Sequence, residues 1–179
     1  LKRDFCKITG FKCADALSTL KAMVPKIIDY ASQFPAMKKY MPSSIAEKDN
    51  QPENIQEASA LVLLPIILKD KKENLFIKIV DENEDIDEAI SDTTAPRIVG
   101  VGQSLDPVYV AVEGHTIGGP VKTHSLAEVP IILIAAYYTF NIQYPSYSNV
   151  YPFLEAVLFN NSQIIKGKVT VHKVITCLQ

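Results

Sequence analysis

A chain of 179 residues, 47% apolar and 21% charged, is long enough to bury a real interior and too apolar to be disordered throughout. The net charge is −2 but is unevenly spread along the chain. Cysteines at positions 6, 13 and 177 alone exclude a disulfide-framework scaffold and imply a reducing, intracellular setting.

The first residues carry no leader pattern, and the chain starts at Leu1 rather than Met, so a fragment of a longer protein is expected. Cys6 and Cys13 are seven apart, which places them on one helix face if a helix runs between them, not in a bridge. Leu17, Leu20, Val24, Ile27, Ile28 and Ala31 recur at three-to-four spacing and predict a helix, which Pro25 either kinks or divides. Residues 35–52 read as a loop. Asn54 and Glu57 resemble a capping pair before Ala58, Leu61, Val62 and Leu64, in a helix that Pro65 should end. Strand signals follow. Residues 75–80 alternate, 97–101 and 108–112 are short β-branched runs, and Glu113-Gly114 reads as a hairpin turn returning through His115–Ile117.

Residues 129–145, VPIILIAAYYTFNIQYP, hold the strongest signal. Pro130 suits the start of a helix, and from Ile131 to Phe140 only Thr139 is clearly polar, so the helix is apolar all round and must be surrounded. Spanning a bilayer takes ~20 apolar residues, so this shorter run is a core helix and no membrane partner is expected. A further helix is predicted over 150–159, with Tyr151, Leu154, Val157 and Leu158 inward. The segment 168–178 alternates Val169, Val171, Lys173 and Ile175 and is expected as a final strand. With strands in the middle of the order, the fold class is α+β. Helices at both ends enclose a small, partly antiparallel β-sheet packed on the buried helix at about 130–142. Residues 1–179 form a single domain, with a helical part over 1–68 and the sheet plus C-terminal helices over 75–179.

Each candidate for chemistry is outweighed by a plainer reading. The acidic run 81–92 sets Asp81, Asn83 and Asp85 at calcium-loop spacing, but Ile86 replaces the turn glycine and Asp92 the closing Glu. It reads as a solvated acidic turn with a short helix through Ile86 and Ile90. Gly100-Val101-Gly102 opens a dinucleotide fingerprint, yet Leu105 stands at the third glycine and Asp106-Pro107 obstructs the helix required next. His115, His124 and His172 lack zinc-ligand spacing with the cysteines. Ser104, Thr123 and Ser125 lack a nucleophile-elbow context. No catalytic, cofactor-binding or metal residues are assigned, and no cofactor is expected.

The aromatic residues suggest contact instead. Tyr137, Tyr138, Phe140, Tyr144, Tyr147, Tyr151 and Phe153 crowd one stretch that contains no Lys or Arg, unlike a base-stacking groove. Tyr144, Tyr147 and Tyr151 are the expected partner-binding residues, on a turn broken by Pro145. Charge offers an alternative. Residues 1–48 carry nine Lys/Arg against four Asp/Glu, and residues 49–128 carry six against fifteen. A basic first third can mark a nucleic-acid-associated protein, although Lys2, Arg3, Lys7, Lys12, Lys21, Lys26, Lys38 and Lys39 also serve as solvated helix faces.

Several blocks occur in a familiar order: DFCKITG at 4–10, VPKIIDY at 24–30, LLPIIL at 63–68, and PRIVGVG through VYVAVEG at 96–114. FNIQYP at 140–145 and YPFLEAVLF at 151–159 complete the series. Together they resemble the C-terminal domain of a large group of uncharacterised animal proteins similar to sterile-alpha-motif domain-containing protein 3, over roughly residues 4–160. The resemblance implies an intracellular, multi-module protein and supplies no site residues. The functional expectation is a non-catalytic module for protein interaction or self-association. Alternatives are a nucleic-acid-associated protein of a mobile-element-like gene and an enzyme.

Overall fold

The computed structural model describes residues 1–10, 12–40, 52–70, 76–121 and 124–178, apart from the side chains of Ile8 and Lys39. Two helices open the chain, α1 (Lys2–Thr9) and α2 (Cys13–Ser32). Gly10 separates them at φ 70°, a left-handed conformation that glycine adopts without strain. α2 is one continuous helix through Pro25 and buries Leu20, Val24, Ile27, Ile28 and Ala31. A 3-10 segment, Pro35–Tyr40, follows, and residues 41–51 of the expected loop lie outside the described residues.

α3 (Glu53–Ile67) buries most of its length. Two expectations about it are corrected. Pro65 lies inside its last turn, and the helix runs two residues further, to Ile67, before it closes through Lys69 at φ 57°. The Asp70 amide donates to Pro65 O and that of Lys69 to Ile66 O, the paired bonds of a Schellman end. The expected capping pair does not form: Pro52 occupies the N-cap, and Glu57 is turned to a distant partner. α5 (Val129–Thr139) and α6 (Val150–Leu158) end in the same way, on Asn141 at φ 53° and Asn160 at φ 49°. Asparagine tolerates this conformation better than most residues with a Cβ.

The sheet runs β1 (Ile77–Val80), β2 (Arg97–Val101), β3 (Val108–Val112), β4 (His115–Thr116), in that spatial order. β1 and β2 are parallel and joined across α4 (Ile86–Ile90), while β2–β3 and β3–β4 are antiparallel. The expected hairpin is present, with Val112 opposite His115 and both turn residues at positive φ, Glu113 at 51° and Gly114 at 73°, the primed turn that suits strand twist.

The sheet has a layer on each face. Ile98, Val108 and Val110 join the main core, whereas Val80, Val99, Val101 and Ala111 pack with Ala89 and Ile90 of α4 in a smaller cluster. Asp85 caps α4 by accepting from the Asp87 amide at 2.9 Å. At the other end Lys78 Nζ and Arg97 Nη2 both donate to Ala89 O, at 2.8 and 3.1 Å, cations where the helix dipole is negative. Arg97 also binds Asp92 at 2.5 Å and holds its carboxyl below the usual range.

The main core runs from Phe5 to Leu178 and surrounds α5, whose buried residues point in every direction. The expected final strand is a helix, α7 (Val169–Leu178). Its buried residues are Val171, Val174 and Leu178, a helical stripe, whereas Val169, on the expected strand face, is 80% exposed. Packing of that stripe overrides the local preference of β-branched residues for strands. The result is an α+β fold with helices at both ends of a mixed sheet. No described helix is long and apolar enough to cross a membrane.

Candidate functional site

Two carboxylates at opposite ends of α3 fix the frame of the helical layer. Glu57, 3% exposed, accepts from Ser125 Oγ and the Leu126 amide, both at 2.6 Å. It thereby caps the 3-10 turn Leu126–Glu128 that leads into α5. Asp70 accepts from Ser148 Oγ and the Asn149 amide, both at 2.6 Å, at the entry to α6. Each carboxylate occupies the place where a helix start offers free N–H groups and a positive dipole end.

The expected tyrosine surface is mostly interior. Tyr151 is 0% exposed and belongs to the core, so the expectation that it meets a partner is corrected. Tyr144 is half-buried and stacks on Tyr151, with ring centroids 5.2 Å apart and planes within 11°. Tyr137 meets both rings edge-on, at 4.8 and 4.9 Å. Burial pushes the Tyr137 hydroxyl up to about 12 and raises Tyr144 and Tyr151 as well. Tyr138 is raised by burial and by its hydrogen bond to Glu155. Only Tyr147 of the three candidates stays on the outside, at 50% exposure.

Open space lies elsewhere, between α2, α6 and α7. A groove of about 570 Å³ is floored by Met23, Ala156, Val157, Ile165, Ile175 and Leu178. Ser18, Thr19, Ala22 and Lys26 of α2 form one wall, His172 and Thr176 of α7 the other, and Asn160, Asn161 and Ser162 close one end. Ser18, Ala22 and Lys26 are four residues apart and line up on one exposed face of α2. The Schellman end at Asn160 turns the chain sharply, and Asn161 accepts from the Gln163 amide at 3.0 Å to start the 3-10 turn Ser162–Ile165. Thr19 and Thr176 donate to carbonyls of their own helices, both at 3.0 Å, which leaves hydroxyl lone pairs available as acceptors. The volume falls within the ~300–1,000 Å³ of ligand pockets.

The remaining candidates are placed as follows. The acidic run carries α4, and among the described residues no group of three or more His, Cys, Asp or Glu is arranged to hold a metal. A Cβ on Gly100 would lie 2.5 Å from Leu105 Cδ2, so this glycine makes room for Leu105 beneath the β2–β3 turn. Gly102, at φ 63°, turns the chain back toward β3, not into a helix. His115 and His124 are exposed on β4 and a loop, and only His172 reaches the groove. Ser104 is half-buried in the β2–β3 turn, Ser125 serves Glu57, and Thr123 lies outside the described residues. Among the basic residues, Lys2 pairs with Glu128 and Lys21 with Glu53. Arg3, Lys7, Lys12, Lys26 and Lys38 are exposed.

Sequence reading missed the groove and both carboxylate caps. The small residues of α2 at positions 18 and 22 were the available signal for the first. Comparison with known families, with curated proteins and with solved structures finds no match to this chain.

Proposed function

We propose that this domain is a non-catalytic interaction module that holds an apolar segment of a partner protein in the groove between α2, α6 and α7. The observation that carries this reading is the groove's lining, an apolar floor beneath a rim of amides and hydroxyls. Such a floor takes side chains, and such a rim hydrogen-bonds a peptide backbone. Its described titratable residues, Lys26 and His172, stand on facing walls rather than as a paired acid and base beside a nucleophile. The resemblance of the block order to proteins similar to sterile-alpha-motif domain-containing protein 3 agrees with this reading, which makes the chain one module of an intracellular multi-module protein.

Selection of displayed peptides against the domain tests this. Retained sequences should carry Leu, Ile or Phe, and their binding should fall at least tenfold (~1.4 kcal/mol) on Ala22→Glu, which places a charge on the rim. The proposal fails if no peptide is retained, or if retained peptides bind the Ala22→Glu protein equally well.

A further inference from the structure

The two N-terminal cysteines lie on different helices, and the turn at Gly10 folds α1 back so that their sulfurs meet. Cys6 is in the middle of α1 and Cys13 opens α2. Their Sγ atoms are 2.7 Å apart and both residues are half-buried. The expectation that seven-residue spacing keeps them out of a bridge assumed one unbroken helix. The glycine break removes that premise.

We propose that Cys6 and Cys13 form a reversible disulfide on exposure to a peroxide, and that this bond fastens α1 to the body of the domain. An S–S bond is about 2.05 Å long, so closing it needs less than an ångström of further approach. The Cys13 thiol is pushed up to about 11 by burial and by its hydrogen bond to Cys6. Either sulfur can meet the oxidant first, and both orders end in the same disulfide. With Cys6 first, its thiolate attacks one peroxide oxygen, the O–O bond breaks, and the hydroxide released takes up a proton as water. Cys6 is then a sulfenic acid. The Cys13 sulfur displaces its hydroxyl: the S–S bond forms, the S–O bond breaks, and the leaving hydroxide departs as water with the Cys13 proton. Two thiols and one hydrogen peroxide give one disulfide and two waters. A thiol reductant reverses the change by exchange.

α1 is held to the body by its packing on α5 and by an ion pair, and the bond adds a covalent link to these contacts. Phe5 is fully buried, edge-on to Tyr138 at 5.3 Å and to Phe159 at 6.1 Å, and Lys2 pairs with Glu128. A cross-link at Cys6 restricts how far α1 can travel when these contacts open.

The full reduced chain, treated with hydrogen peroxide and alkylated, provides the test. Before alkylation its intact mass should fall by two hydrogens, and after alkylation a non-reducing peptide map should show Cys6 joined to Cys13 and Cys177 carrying the alkyl group. Dithiothreitol should reverse both changes. Amides 2–10 should exchange about tenfold more slowly in the oxidised form, and Cys6→Ser should abolish the cross-linked peptide. Added oxygen on Cys6 or Cys13 without a cross-link, or a bond that joins only Cys177 residues of two chains, would overturn the assignment. A cross-link that leaves exchange over residues 2–10 unchanged would overturn its role in fastening α1. Both measurements use the wild-type chain, so neither depends on a variant folding.

Discussion

The turn after α5 and the groove beside α7 are both places where a helix end meets its neighbours, yet one is filled and the other is open. After α5 the chain folds its own aromatic rings inward: Tyr137, Tyr144 and Tyr151 occupy the space between helices, and Asp70 fastens Ser148 and Asn149 over them. Beside α7 the facing helix presents Ser18 and Ala22, too short to reach across, and the Asn160 turn borders the space. Aromatic density marks where this chain completes its own interior, and small residues on a helix face mark where it leaves room. A tyrosine-rich stretch is therefore a weaker sign of a contact surface than its composition suggests, because tyrosine serves burial and interfaces equally well.

The largest expected effect is in the filled region. Leu133→Asp or Ala136→Asp puts a charge at a fully buried position. An unpaired buried charge costs at least ~4 kcal/mol, against a total stability of about 5–15. Either variant should lose its cooperative melt by circular dichroism and express poorly. Folded protein at wild-type yield would show that α5 is not core.

The carboxylate caps come next. Glu57→Ala leaves a buried amide and hydroxyl without their acceptor and should cost ~2–3 kcal/mol in urea denaturation. Asp70→Ala, at a partly exposed cap, should cost ~1–2 kcal/mol. Equal, negligible losses would mean that the filled region holds its shape without these caps.

Alkaline pH probes the same rings. Phenols in an unfolded chain ionise near pH 10, while burial holds Tyr137 protonated up to about 12. Between those values the unfolded chain has lost protons that the folded domain keeps, so stability falls as pH rises. Below that window the tyrosines add no slope. Tyr144→Phe removes one such buried hydroxyl and should move the alkaline unfolding midpoint upward, read by phenolate absorbance. A midpoint that moved downward would place the Tyr144 hydroxyl in a stabilising bond. The smallest effects belong to the open surface: Ala22→Glu and Tyr147→Ala should each change stability by no more than ~0.5 kcal/mol.

Much of this fold is legible along the chain. The α5 run, the stripe of α2, the β-branched runs of β2 and β3 and the Glu113-Gly114 turn all rest on short-range composition, periodicity or turn chemistry, which one sequence displays. What is not legible depends on contacts between distant segments. Glu57 looks like a local cap because its spacing from Asn54 fits, and only the return of Ser125 to its side shows otherwise. Residues 168–178 satisfy a strand period and a helix period together, and the neighbours that bury Val171 and Val174 decide between them. Tyr151 and Tyr147 are alike in sequence and opposite in exposure. The groove leaves only the short side chains at positions 18 and 22 as its trace, because a space between helices is marked by what small residues fail to fill.

The central claim, that the open region rather than the tyrosine turn receives a partner, is tested most directly by one paired titration. The affinity of a selected apolar peptide is measured by fluorescence anisotropy on wild type, Ala22→Glu and Tyr147→Ala, each verified as folded. Binding should weaken at least tenfold with Ala22→Glu and change less than about twofold with Tyr147→Ala, a difference near ~1 kcal/mol or more. The opposite pattern, with Tyr147→Ala abolishing binding and Ala22→Glu leaving it intact, would contradict the assignment of the groove.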